Sequence, residues 1–504
     1  MRILTISSLY PNNKDPKHGI FVETRLRHLV KDFPEIKPTV IAPVPWFPFS
    51  SKRFGEYAKY AGVVKQEVRN DIEVHHPKYL VIPKIGMYLT PLFMSWAIAK
   101  TIKKLSAISE EQDPRSDTSR MTESETSRMT ESETLRMTED ETSRMTESET
   151  SRMTEGETSR MTEGETSRIT EDDLRHSDAS TRHSGYVLGR NPEQDPTSSL
   201  FFLGKTLSSF KQFLGRNPKK LPFDLIDGHY FYPDGVAIAK AAKKYNIPFT
   251  CTARGTDINL VPQYPKALRM IKKVFKQASH MMTVCQALKD EMITLGADKD
   301  KISTLRNGVD LDLFSPSNEV EQQIIKGELG IKNKLIMSVG WLIERKGHYL
   351  VIDAMQNIDN ATLAIAGNGP DLNQLKAQVK TLGLENNVKF LGSLSQPELN
   401  KWFKAADVTV LASSREGWAN VLLESMASGT PVVATKVWGT PEVVTTQHAG
   451  VLVDRTVESI GVGIKTLMGK TIQRAATRKY AEKFDWQSTS AGQFKIFNTI
   501  VNKE

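Results

Sequence analysis

Residues 406 to 431 read ADVTVLASSREGWANVLLESMASGTP: a short Val-rich run, a polar loop containing glycine, then an apolar pattern with helical spacing. The run fits a buried parallel strand, and Asn420 is placed as the N-cap of a helix beginning at Val421. Two carboxylates, Glu416 and Glu424, stand eight residues apart in this stretch. Eight residues of continuous helix would separate them by about 12 Å and turn them by roughly 80°, so one helix cannot aim both at a single metal ion. Glu416 is therefore expected on the strand-to-helix loop and Glu424 on the first helical turn. In a doubly wound sheet this carboxyl-end crevice is where ligands bind, and two acids there can grip two parts of one hydroxyl-rich ligand. The competing reading is a solvated loop acid and an acid that complements the helix macrodipole.

Working outward, short apolar runs alternate with helical patterns along most of the chain. RILTIS, PTVIAP, DLIDGH, IPFTCTA and HMMTV come first, then KLIMSVG, ATLAIAG, NVKFLG, DVTVLA, TPVVAT and GVLVD. This is the rhythm of two doubly wound parallel sheets in an α/β fold. The first domain takes residues 1–105 and 220–308, and the second takes 309–485, with the turn-forming NGVDLDLF at 307–314 as the boundary. Residues 486–504 are expected to form a helical segment that packs back on the first domain. The crevice between two such domains is the default ligand site.

Residues 106–219 interrupt this rhythm. From Ser119 to Leu174 an octad recurs seven times, beginning SRMTESET and drifting to SRITEDDL. One Met or Ile per octad winds around a helix without forming a seam, and buries too little to offset an ordering cost of roughly 1 to 2 kcal/mol per residue. The segment is read as disordered, and the recurrence of EQDP on either side of the octads and of LGRNP twice after them points to insertion by duplication. Deleting the octads should leave folding and activity intact, because loop closure costs only about 0.6 kcal/mol more per doubling of length. Loss of soluble protein on deletion, or octad amides protected from hydrogen exchange, would show that the segment is structural.

The composition is that of an ordinary soluble protein: 504 residues, 39% hydrophobic and 25% charged. The octads carry seven Arg and sixteen Asp or Glu, so the net +8 of the whole chain becomes +17 for the remainder. Such a balance suits anionic partners, among them phosphorylated ligands and an anionic membrane surface. Nucleic acid is not expected, since the basic residues are dispersed and no nucleic-acid-binding motif accompanies them. Cys251 and Cys285 alone suit a reducing cytoplasm and leave no disulfide framework. MRILTISSLYPN reads as a buried strand, not a signal peptide, and no apolar run reaches membrane-spanning length. YLTPLFMSWAIAKTIKKL at 88–105 is either a core helix or a surface helix resting on a membrane.

The loops after the strands carry the candidate chemistry. Gly19 precedes a helix and lets backbone approach a phosphate. His229 ends one strand, as a ligand contact or a hydrogen-bonded structural residue. Arg254 and Asp257 in ARGTDIN can pair with each other or meet a ligand, with acceptor or phosphate as the candidates. Arg345 and Lys346 stand just before Gly347 at a helix start and can neutralise a diphosphate. Gly369 in AGNGP and Gly439 in KVWGTPEVV allow further close approaches. Cations, glycine turns and two acids on successive loops at one sheet edge are what a nucleotide-diphosphate sugar requires.

The E-x7-E spacing of Glu416 and Glu424 followed by SMASGTPVVAT, with GHYFYPDG, ARGTDIN, RNGVDLDLF, ERKGH and AGNGP in order, strongly resembles retaining glycosyltransferase family 4, of GT-B fold with two Rossmann-like domains. SLYPN and HGIFVETRLRHL resemble bacterial cell-envelope polysaccharide transferases of the teichuronic-acid type. The resemblance implies that Glu424 binds the donor ribose and that Glu416 holds hydroxyls of the transferred sugar beside the backbone of Gly417 and Trp418. Asn420 joins the donor site. Arg345 and Lys346 would bind the diphosphate, Gly19 would approach it from the other domain, and His229 would sit by the reacting sugar. Trp341 stands where many members carry Arg, so Arg345 takes over that charge or the leaving phosphate is held less strongly. No bound metal and no cofactor beyond the donor is implied. The expected activity is transfer of a sugar to a glycan or lipid-linked acceptor by a cytoplasmic enzyme, peripheral on the inner membrane face. Another GT-B activity, such as an epimerase or phosphorylase, and a degenerate sugar-nucleotide-binding protein are the alternatives.

Overall fold

A computed structural model describes residues 1–46, 60–81, 86–111, 221–471 and 473–502. The chain divides into two compact units, Met1–Lys103 with Leu188–Glu504, and Lys104–Val187. Of the second unit only residues 104–111 are described, as helix. The octads and their expected disorder lie outside the described residues.

The first unit holds two large sheets and a two-stranded one. Its strands are β1 (Arg2–Ile6), β2 (Lys37–Ile41), β3 (Val44–Pro45), β4 (Gln66–Arg69), β5 (Ile72–His75), β6 (Lys78–Tyr79), β7 (Leu225–His229), β8 (Phe249–Ala253), β9 (His280–Thr283) and β10 (Ile302–Thr304). Then follow β11 (Lys334–Val339), β12 (Ala361–Ala366), β13 (Val388–Gly392), β14 (Val408–Leu411), β15 (Val432–Thr435) and β16 (Gly450–Val453). The first sheet runs β10-β9-β8-β7-β1-β2-β5-β4, and the second runs β13-β12-β11-β14-β15-β16. Strands such as β7, β8 and β12 are buried at every residue, which explains their unbroken apolar character: helices cover both faces of a parallel sheet.

The first sheet departs from the all-parallel expectation at one edge, where β4 pairs antiparallel with β5. The edge strand β4, QEVR, is half polar because one side stays in water, and its inner neighbour β5, IEVH, is only four residues long, so hydrophobic patterning does not reveal them. The 88–105 stretch lies in the helix Gly86–Glu111, whose Met94, Ala97, Ile98 and Ile102 are buried while Trp96 is 38% exposed. One side of it is therefore core. Among the described residues no helix is long and apolar enough to cross a membrane.

The chain passes between the halves twice. Residues 305–318 link β10 to the helix Glu319–Glu328, and the final helix, Gln487–Val501, packs on the helix Ile20–Asp32 of the first half. Phe33 and Phe494 stack there with ring centroids 4.1 Å apart, and Phe497 is fully buried.

Candidate active site

β14 lies in the middle of the second sheet, hydrogen-bonded to β11 and β15, so the loops leaving β11 and β14 emerge side by side at its carboxyl edge. The first carries Arg345 and Lys346 in a single helical turn closed by Gly347, and the second carries Glu416. They meet. Lys346 Nζ donates to Glu416 Oε1 at 2.6 Å, Ser413 Oγ donates to the same oxygen at 2.7 Å, and Arg345 Nη1 stands 3.9 Å away. Arg345 Nη1 also donates to the Arg415 carbonyl at 2.5 Å, pinning the loop. Burial by itself would push the Glu416 carboxyl up, but Lys346, Arg345 and the two hydrogen bonds outweigh it and hold the group below the usual range. Glu416 Oε2 has no hydrogen-bond partner among the described residues, which leaves an ionised oxygen to accept from a hydroxyl.

Glu424 differs in every respect. It is half-buried, has no ion pair or side-chain hydrogen bond among the described residues, and opens onto a small pocket with Phe21, Thr24, Asp310, Asn420 and Trp486. Burial pushes its carboxyl up to about 7. The helix carrying it is Asn420–Ala427, so Glu424 lies beyond the first turn where the sequence had placed it. Nor is Asn420 the N-cap. It is the first helical residue, and its Oδ1 accepts from Asn307 Nδ2 at 3.2 Å instead of capping an amide. A partner from the linker has outcompeted the local bond.

In the first half, His229 ends β7 and is buried. Its Nε2 lies 3.1 Å from Asp227 Oδ2, and its Nδ1 lies 2.6 Å from Arg254 Nη2. A guanidinium can only donate, so Nδ1 is the accepting nitrogen and the proton sits on Nε2, facing the carboxylate. Burial lowers the imidazole to about 4, the neighbouring Arg254 and Arg25 acting with burial and Asp227 against it. Both ring nitrogens are thus engaged inside the protein. Asp227 also accepts from Thr250 Oγ1 at 3.0 Å and from Gln493 Nε2 at 3.0 Å, and Gln493 Oε1 in turn accepts from Arg25 Nε at 2.8 Å.

Arg254 and Asp257 do not pair through their side chains. The Asp257 carboxylate accepts from the backbone amides of Phe231, Arg254 and Gly255, which shapes the loop. The Arg254 guanidinium goes instead to His229 and, through Nη1, to Asn307 Oδ1 at 3.1 Å, and lies 5.3 Å from the Phe21 ring centroid. Asn307 is the junction: its carbonyl accepts from Trp418 Nε1 at 3.0 Å and its side chain reaches Asn420. A linker residue therefore ties the Arg254 loop to the loop of Glu416.

The glycines serve this meeting of loops. Gly417 packs so closely on the Arg254 carbonyl that any Cβ would collide with it, and the Gly417 carbonyl rests on Gly439. Gly19 has φ 65°, and a side chain there would strike the Leu9 backbone, so the turn itself demands glycine. Gly369 sits against the Leu342 backbone, bringing the AGNGP turn onto the loop of Trp341, which is 48% exposed. Among the described residues no three His, Cys, Asp or Glu side chains gather as metal ligands.

Comparison with known proteins gives the family and the fold. The family model "Glycosyl transferases group 1" matches residues 320–484, and "Glycosyltransferase Family 4" matches 170–313. The chain belongs to the family 4 glycosyltransferases. A D-inositol 3-phosphate glycosyltransferase of Corynebacterium glutamicum is 27% identical over 64% of this chain and 81% of its own length. A putative teichuronic acid biosynthesis glycosyltransferase, TuaC of Bacillus subtilis, is 30% identical over 43% of this chain and 54% of its own. The crystal structure of Anabaena Alr3699/HepE in complex with UDP shares the GT-B fold at TM-score 0.58 and 16% identity, covering 99% of this chain and 100% of that one.

Several residues that organise this glycosyltransferase's cleft escape a reading of the sequence. Asp227 had a legible signal, an acid two residues before His229 in a buried strand and so on the same face. Asp234 in GHYFYPDG had a weaker one. It is fully buried, accepts from the amide and hydroxyl of Ser8, and is pushed up to about 7 by burial. Arg25, Asn307 and Gln493 had none, because their partners lie from 53 to 468 positions away.

Proposed function

We propose that this glycosyltransferase moves a sugar from a nucleotide-diphosphate donor to a glycan or lipid-linked acceptor of cell-envelope polysaccharide synthesis, with retention at the anomeric carbon and without a metal ion. The contact of Lys346 and Arg345 with the buried Glu416 carries this reading. Breaking the bond from the anomeric carbon to phosphate leaves positive charge on the sugar and puts negative charge on the diphosphate. The two cations lie where they can meet that negative charge, and the free oxygen of Glu416, kept ionised by the same cations, can hold the sugar's hydroxyls. Glu424 can take the ribose diol in its half-buried pocket. Closure of the two halves on each other excludes the water that would otherwise hydrolyse the donor.

A panel of nucleotide sugars with membrane lipid extract tests the activity, UDP-sugars first because the Anabaena protein was solved with UDP. An inositol phosphate belongs in the acceptor panel because the Corynebacterium relative is named for one. Proton NMR of fresh product should show the donor's anomeric configuration, and EDTA should leave the rate unchanged. An inverted product, or activity lost to EDTA and restored by Mg²⁺, would overturn the corresponding claim.

A further inference from the structure

The fold gathers basic residues that are scattered in sequence. Three stretches, 86–103, 236–245 and 265–277, hold nine Lys, one Arg and no Asp or Glu. All three are helical and they touch one another. Tyr245 Oη donates to the Ala99 carbonyl at 2.7 Å, and Lys266 Nζ lies 5.0 Å from the Tyr88 ring centroid. The helices Val236–Tyr245 and Pro265–Gln277 pack directly. Each helix turns its apolar side inward, with Met94 and Ile98, Ile238 and Ala242, Ile271 and Val274 all buried. The lysines are left outside. Lys240, Lys243, Lys272, Lys273 and Lys276 are exposed and have no carboxylate partner among the described residues.

Like charges gathered within a Debye length of about 8 Å repel, and these three stretches hold no acidic residue to offset them. We propose that this three-helix face docks the enzyme on an anionic lipid bilayer. Its cations are lysines almost without exception. Lysine is a compact, strongly hydrated point charge suited to a diffuse anionic plane, whereas recognition of nucleic-acid phosphates and bases favours the planar fork of arginine. Trp96, 38% exposed with Lys100 Nζ 5.4 Å from its ring centroid, puts an indole beside the charged face, the residue type that settles at headgroup level.

The inference deepens the envelope reading and rests on it only in choosing lipid as the anionic partner. It is tested with no donor or acceptor present, so either can fail without the other. The full chain should sediment with phosphatidylglycerol vesicles and not with phosphatidylcholine vesicles, and added salt should release it. Each cation lost should weaken binding about fivefold, so Lys272→Gln/Lys273→Gln/Lys276→Gln should bind roughly a hundredfold more weakly. A control triple in the other half, Lys376→Gln/Lys380→Gln/Lys389→Gln, should bind as the natural sequence does. Circular dichroism confirms that both triples fold. Absence of phosphatidylglycerol binding at low salt, or equal losses in the two triples, would overturn the proposal. So would single-stranded RNA binding that the first triple abolishes while leaving lipid binding intact.

Discussion

Lys346→Ala should slow sugar transfer by on the order of 10² to 10³, the usual effect of removing one preorganised contact to developing charge. It should also destabilise the fold, since it strips the buried Glu416 of its 2.6 Å cation partner; breaking such a pair costs about 3 to 5 kcal/mol. Glu416→Gln should slow transfer with a smaller loss of stability, since the Gln carbonyl can still accept from Lys346 and Ser413. The informative variant is the double, Lys346→Met/Glu416→Gln, in which neither partner is left charged alone. Its melting temperature should recover toward that of the natural protein while turnover stays low. A double variant that recovered turnover as well would show the pair to be scaffolding. Glu424→Ala should instead raise KM for the donor with kcat little changed. Donor affinity should rise with pH through about 7 as the Glu424 carboxyl ionises, because the ionised form accepts hydrogen bonds from a diol better than the protonated form. Glu424→Gln should flatten that dependence, and a dependence that persisted would sink the ribose assignment.

For His229 the expected result is a flat profile: kcat at saturating donor should show no histidine ionisation between pH 5 and 8. Its proton is committed to Asp227 and its lone pair to Arg254, so it acts by holding the Arg254 guanidinium toward Asn307 and not by carrying a proton. His229→Asn, whose carbonyl can still accept from Arg254, should retain more activity than His229→Ala. An acidic limb near 6.5 that vanished in His229→Asn would overturn this account. The same lowered pKa has a stability consequence. Between about 4 and 6.5 the unfolded chain binds the proton that folded His229 refuses, so the melting temperature should fall as pH drops through that window. His348, lowered to about 4 chiefly by burial, contributes in the same direction. His229→Asn should remove part of the slope and leave the rest.

The sequence alone determined the two parallel sheets, because strands buried on both faces are written as apolar runs separated by helical patterns, and burial acts on each run locally. It also placed Glu416, Arg345 and Lys346 on loops that follow strands. Glu416, Arg345 and Lys346 were legible as residues at strand ends, since the parallel arrangement sends every strand end to one edge. Their partners were not legible. That Glu416 and Lys346, 70 positions apart, share one hydrogen bond follows from β11 and β14 being neighbours in the sheet, and strand order is a global property. Asn420 failed as a cap for the same reason: a bond from Asn307 across the linker displaced the local one. The polar edge strand β4 and the short β5 beside it carry too little apolar pattern to be read. The dispersed lysines looked featureless in sequence, where neighbours are fixed by position along the chain. Only the packing of three distant helices made them one face, because a charged surface is defined by distance in space, and the tertiary structure alone sets that distance.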